Sequence, residues 1–192
     1  MLFKLINLVR KIQNLIYSLI LKNGFISVGK NFFIEYPARL KGGEYITIGD
    51  DFYCFGRIRL EAYDKHNDYK YTPKITIGNN VSINFDCHIA CVNKVIIGNG
   101  VLIASKVFIT DHFHGDITKK ALEQAPSQRK VMSKGEVNIE DNVWIGEGVC
   151  IMPDVRIGEN CIIGANSVVT KSFPANSVIA GVPAKLIKEI KN

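Results

Sequence analysis

Ile139-Glu140-Asp141-Asn142-Val143-Trp144-Ile145-Gly146-Glu147-Gly148-Val149-Cys150-Ile151, with its continuation to Val169, is the stretch that decides the fold. Ile139, Ile145, Ile151, Ile157, Ile163 and Val169 follow one another six residues apart without a break. Four residues after five of them stand Val143, Val149, Val155, Cys161 and Ser167, again small or aliphatic. A helix cannot use this period, because its apolar face would rotate around the axis. A short strand followed by a corner can, and three such units close a triangular coil with the aliphatic side chains inside. The same phase runs back through the triplets Val28, Ile34, Leu40; Ile48, Cys54, Leu60; Ile77, Ile83, Ile89; and Ile97, Ile103, Ile109. Extra residues fall only between triplets: two after Leu40, eleven after Leu60, two after Ile89 and twenty-four after Ile109. They therefore leave the prism at one corner. Gly follows the aliphatic position at Gly78, Gly98, Gly146, Gly158 and Gly164, where it is expected to accept corner angles that branched residues resist. The pattern predicts an all-β chain, a parallel β-helix of about six triangular coils.

Composition agrees. With 192 residues, 47% hydrophobic and 22% charged, the chain can bury a core and is not a disordered protein. Sixteen glycines and five cysteines are too few for a collagen or a disulfide scaffold. Cys54, Cys87, Cys91, Cys150 and Cys161 form no C-x-x-C pair, and three of them occupy inward repeat positions, so free, inert thiols are expected. Charge sums to 24 − 18 = +6, which suggests an anionic partner without selecting one.

Residues 1–24 stand apart. Lys4, Asn7, Lys11, Asn14, Ser18 and Lys22 step by three and four, and Leu5, Leu8, Ile12, Leu15 and Leu19 do the same on the other side. This is an amphipathic helix, not a membrane span, since Arg10 and Lys11 interrupt it. Its apolar stripe either packs on the first coil, closing the end of the core, or lies on an anionic membrane surface. The first 40 residues carry +5 of the net charge. The expected layout is helix 1–24, prism 25–175 with an excursion loop 110–136, and a closing segment 176–192.

The units Ile145-Gly146-Glu147-Gly148-Val149-Cys150 and Ile157-Gly158-Glu159-Asn160-Cys161-Ile162 resemble the hexapeptide repeat of left-handed β-helix acyltransferases. Val143-Trp144-Ile145-Gly146 and Ala180-Gly181-Val182-Pro183-Ala184 are similar to the maltose and galactoside O-acetyltransferase group. The segment from Ile103 to Gly115 resembles O-antigen and capsule polysaccharide O-acetyltransferases more closely still. The resemblance implies the left hand of the coil, acetyl-CoA as co-substrate, a sugar or glycan acceptor, and a homotrimer with its cleft between prisms. It implies a cytoplasmic enzyme with no nucleic-acid partner and no metal; contact with the inner face of the plasma membrane is the expectation that the N-terminal helix alone adds.

His112 stands where the last strand before the long insertion ends, and an imidazole there can take a proton from a hydroxyl. Thr110-Asp111-His112 matches the family's catalytic histidine, so His112 is expected to be the general base, with His114 orienting the loop or the acceptor. By the same resemblance Asn84 holds the acceptor, and Asp86 lies beside it. Trp144 packs near the acetyl-pantetheine arm, which extends along Gly146, Glu147, Gly164 and Ala165. Thr170, Lys171, Lys185 and Lys188 meet the nucleotide phosphates. The competing readings are weaker. A zinc lyase of the gamma carbonic anhydrase kind needs differently spaced histidines, and an ice-binding prism needs threonine ladders that are absent. An N-acetyltransferase acting on an amino sugar nucleotide differs only in its acceptor and is the serious alternative.

Overall fold

The structure, a computed structural model, describes residues 2–191. Three parallel sheets wrap one core, and each receives one strand from each of six coils. Coil 1 contributes Ser27–Val28, Phe33–Ile34 and Arg39–Lys41 to the first, second and third faces, and coil 4 contributes Lys94–Ile97, Leu102–Ile103 and Phe108–Thr110. Register follows the six-residue phase. Ile48 faces Ile77, Ile77 faces Ile97, and Ile97 faces Ile139 on the first face. From coil 2 onward nearly every aliphatic repeat position is fully buried, and so are Val81, Val101, Val143, Val149 and Val155 at the secondary positions. Val28 and Leu40 of coil 1 are only half-buried, because no coil lies beneath them. At the other end Ser177–Gly181 continues the second face, and Ala184–Glu189 folds back antiparallel on it.

The repeat glycines serve a different purpose from the one expected. The left-handed corner angles belong mainly to Asn and Asp, at Asn31, Asp51, Asn80, Asn142 and Asn160 on one edge. Gly78 and Gly98 are not among the positive-φ residues; a Cβ on Gly78 would lie 2.7 Å from the carbonyl of Gly98 in the next coil. Glycine there permits coil-to-coil approach.

Both long insertions leave at the edge between the third and first faces. The first forms a small hairpin, Lys65–His66 with Tyr69–Lys70. The second holds the pair Phe113–His114 with Val131–Met132 and a short helix, Lys119–Leu122. They lean on each other, with the Tyr71 hydroxyl donating to the Val131 carbonyl at 3.1 Å and accepting from its N–H at 3.0 Å.

The N-terminal helix α1, Leu2–Lys22, is mounted with its polar side inward. Coil 1 has a free backbone edge, and isolated N–H and C=O groups there would be costly. Ser18 Oγ accepts from Ile34 N–H at 2.9 Å and donates to Ile34 C=O at 3.0 Å. Asn14 Oδ1 accepts from Tyr36 N–H at 3.1 Å, and the Tyr17 hydroxyl pairs with both backbone groups of Ala38. Asn14 and Ser18 are the buried residues of the helix. The apolar stripe does not pack on the first coil, contrary to one of the two expectations; Leu5, Leu8, Ile12, Ile16 and Ile20 point outward. No helix among the described residues is long and apolar enough to cross a membrane.

Candidate active site

His112 lies two residues past the end of the third-face strand of coil 4, where the chain departs from the prism. That departure leaves a gap above the short connection Val92-Asn93 of the coil below, whose N–H groups then lack the carbonyls a continuing coil would supply. Asp111 fills the gap. Fully buried, its carboxylate accepts from the N–H groups of Val92 at 3.0 Å, Asn93 at 2.8 Å and Lys94 at 2.7 Å. Burial pushes the Asp111 carboxyl up, but His112 and the backbone N–H groups outweigh it and hold it below its usual range. Asp111 Oδ1 sits 2.8 Å from His112 Nδ1. A carboxylate only accepts, so Nδ1 carries the proton and the basic lone pair lies on Nε2.

The ring lines a cleft of about 360 Å³. Arg59, His88 and Phe108 of the third face form its floor, Tyr63 and His66 of the small hairpin one wall, and His114 and Val131 of the large excursion the other. His114 meets His66 edge-on at 5.4 Å, and burial with the neighbouring His66 and His112 rings holds its imidazole below the ordinary value. His88 Nε2 lies 3.0 Å from Glu61, a carboxylate with no exposed surface. Burial and then Arg59 hold His88 below its ordinary value, so it meets Glu61 as a neutral donor at pH 7. Burial would raise the Glu61 carboxyl, but Tyr63 and Arg59 hold it down.

The other expected site residues occupy a different edge. Asn84 and Asp86 stand at the corner between the second and third faces of coil 3. Asn84 Nδ2 donates to Ile103 C=O at 3.1 Å, and Asp86, at φ 62°, binds Arg57 through both oxygens at 2.6 and 2.8 Å. Trp144 projects from the second face between Leu102 and Ile162 and remains 52% exposed. Gly146, Glu147, Gly164 and Ala165 continue the Asn84 edge upward, with Glu147 3.2 Å from Lys106. Thr170, Lys171, Lys185 and Lys188 are exposed at the closing end. Within one chain none of these lines the His112 cleft. The cysteines are free, and all but Cys150 are buried. Burial pushes the Cys87 thiol up to about 11.

In the sequence Asp111 is visible only as the neighbour of His112, with no task of its own, and Glu61 is not marked at all. For Asp111 a signal existed, a charged residue between a strand that must stay dry and a departing loop. For Glu61 there was none.

A six-coil triangular prism with a histidine–carboxylate pair at a corner excursion defines a hexapeptide-repeat acyltransferase, and the chain belongs to that family. Residues 136–171 match the description "Bacterial transferase hexapeptide (six repeats)". The chain is 38% identical over 159 residues to the "Putative lipopolysaccharide biosynthesis O-acetyl transferase WbbJ" of Escherichia coli, covering 81% of this chain and 78% of that one. It is 33% identical over 178 residues to the galactoside O-acetyltransferase of the same organism, covering 90% and 68%. Among solved structures, the N-acyltransferase AntD from Bacillus cereus, in complex with dTDP and 3-hydroxybutyryl-CoA, superposes with a TM-score of 0.74 at 26% identity. That match covers 91% of this chain and 88% of AntD. The coil is left-handed, as in this family.

Proposed function

We propose that the protein is an acetyl-CoA-dependent O-acetyltransferase that modifies a sugar hydroxyl of a surface polysaccharide or of its lipid-linked precursor. The Asp111–His112 pair carries this reading, because the buried carboxylate fixes the ring's tautomer and leaves Nε2 as the basic nitrogen of a ring that lines a cleft. Acetyl-CoA supplies the acyl group as a thioester. Nε2 of His112 takes the proton of the acceptor hydroxyl as its oxygen attacks the thioester carbonyl, Asp111 stabilises the imidazolium, and the C–S bond then breaks as the imidazolium returns the proton to the departing coenzyme A thiolate. His114 orients the acceptor from the cleft and Asn84, with Asp86 near it, from the other edge. Trp144 and the small residues Gly146, Gly164 and Ala165 suit an extended pantetheine arm along that edge, with Glu147 beside it. Thr170, Lys171, Lys185 and Lys188 suit the nucleotide phosphates at the closing end.

The two groups of residues occupy different edges of one prism. A second copy, its second face set against the third face of the first, brings them together, and closure of that heterologous contact gives a homotrimer. The likeness to AntD supports the second reading, N-acyl transfer to an amino sugar nucleotide, in which only the accepting atom changes.

The enzyme works at the inner face of the membrane. The outward stripe of α1 is 42 to 81% exposed at its large apolar residues. At 3.6 residues per turn, Lys4, Lys11 and Lys22 fall on one shoulder of that stripe and Arg10 on the other, with no acidic residue in the helix. This is the charge arrangement of a helix seated in an anionic interface.

A screen of free sugars, amino sugars and glycan precursors with acetyl-CoA, following free thiol release, tests the function. Release only with amino-sugar acceptors, or with none, would overturn the O-acetyl reading.

A further inference from the structure

Below the His112 cleft two guanidinium groups hold one carboxylate, and a third cation, Lys41, stands over the neighbouring Tyr63 ring. Arg39, Arg59, His88 and Phe108 stack in register up the third face, one per coil. Arg39 Nε donates to Glu61 Oε1 at 2.7 Å, and Arg59 Nη2 donates to Oε2 at 2.9 Å. Lys41 Nζ lies 4.4 Å over the ring of Tyr63, a cleft residue. One guanidinium would neutralise Glu61. With three cations and a neutral His88, the cluster keeps a charge of +3 − 1 = +2. Each guanidinium gives the carboxylate one of its five N–H groups, and the Arg39 and Arg59 side chains remain 70% and 48% exposed. Glu61, fully buried, therefore acts as a tether that holds two forked donors, Arg59 on the floor of the cleft and Arg39 one coil below it, just outside the lining. Arg59 stands two coils below the level of His112, about 10 Å at the usual strand spacing. That is the span of one sugar ring and the group linked to it.

We infer that Arg39 and Arg59, with Lys41, bind a phosphoryl group of the acceptor, so that the sugar is acetylated as a glycosyl phosphate or diphosphate rather than within a finished neutral polymer. This rests on the His112 cleft being the acceptor site. The enzyme would then act downstream of a reaction that activates or lipid-links the sugar and upstream of polymer assembly.

The test uses the full chain with saturating coenzyme A, so that the basic residues at the closing end are already occupied, and titrates inorganic pyrophosphate calorimetrically. Wild type should bind it. Arg39→Gln and Arg59→Gln should each weaken binding tenfold or more, and glucuronate, a carboxylate probe, should bind more weakly than pyrophosphate. Arg39 is the most exposed member of the cluster, so Arg39→Gln serves even if Arg59→Gln unfolds. Pyrophosphate binding that is absent, indifferent to Arg39→Gln or matched by glucuronate would overturn the inference. The preceding coenzyme A titration reports separately on the proposed function, since a chain that does not take coenzyme A fails that reading whatever the arginines bind.

Discussion

Replacing Ser18 by Ala removes one oxygen atom and should uncap the prism. Its hydroxyl, 3% exposed, both accepts from and donates to Ile34. Without it, one N–H and one C=O of coil 1 lose their partner while α1 still covers them. An unsatisfied buried polar group costs about 1–3 kcal/mol. Two together cost about 2–6 kcal/mol, offset by about 0.5 kcal/mol from the better helix propensity of Ala. Because water can reach the end of the prism and partly re-satisfy these groups, the lower part of that range applies, a net loss of about 2–3 kcal/mol. Because a coil touches only its neighbours, the loss should appear first at the end of the prism. Hydrogen exchange at the Ile34 amide should accelerate by roughly 30- to 150-fold, with smaller changes above coil 3. The control is Ile16→Ser on the outward stripe. If α1 packed in the usual way this change would be the damaging one; here it should cost less than about 0.5 kcal/mol. Little change in Ser18→Ala alongside a large loss in Ile16→Ser would refute the inverted mounting.

Asp111→Asn should reduce turnover roughly 10²- to 10⁴-fold, because an amide NH₂ facing Nδ1 moves the ring proton to Nε2 and abolishes the base. The depressed carboxyl of Asp111 contributes stability that is present above its unfolded pKa of about 3.9 and lost as pH falls through the folded value. The stability gap between wild type and Asp111→Asn should therefore narrow on acidification, and a gap constant in denaturant titrations from pH 7 to 3 would contradict this. Ile157→Asp, which places a charge at a fully buried position, should prevent folding, judged by the loss of a cooperative melt. The triple change of Leu5, Ile12 and Ile16 to Ser should abolish low-salt co-sedimentation with anionic vesicles while leaving the melt unchanged; persistent binding would sink the membrane proposal. Deleting residues 1–22 would not serve, since it also strips the caps from coil 1.

The six-residue phase told the prism's architecture almost completely, because an inward aliphatic position leaves no freedom about what it does. Ile145 and Ile157 are buried as the pattern requires. The position of His112, where a rigid strand gives way to a long excursion, did not by itself assign it a role; the expectation of a base came from the match of Thr110-Asp111-His112 to the family's catalytic histidine. What could not be read depended on partners far away in sequence. Ser18 looked like the solvent side of a helix until Ile34 needed both a donor and an acceptor. Glu61 has no neighbour in sequence that marks it, yet it meets Arg39, twenty-two residues before it, and His88, twenty-seven after. Periodicity says which side of an element is apolar. It does not say whether the neighbour offers side chains or bare backbone, and at coil 1 it offers backbone.

In the proposed reaction His112, held by Asp111, is the base for transfer from acetyl-CoA. Thiol release with a responsive acceptor, measured for wild type and His112→Ala beside coenzyme A affinity, tests it most directly. Turnover should fall roughly 10²- to 10⁴-fold with affinity nearly unchanged and the melt intact. Transfer by His112→Ala at close to the wild-type rate would contradict it.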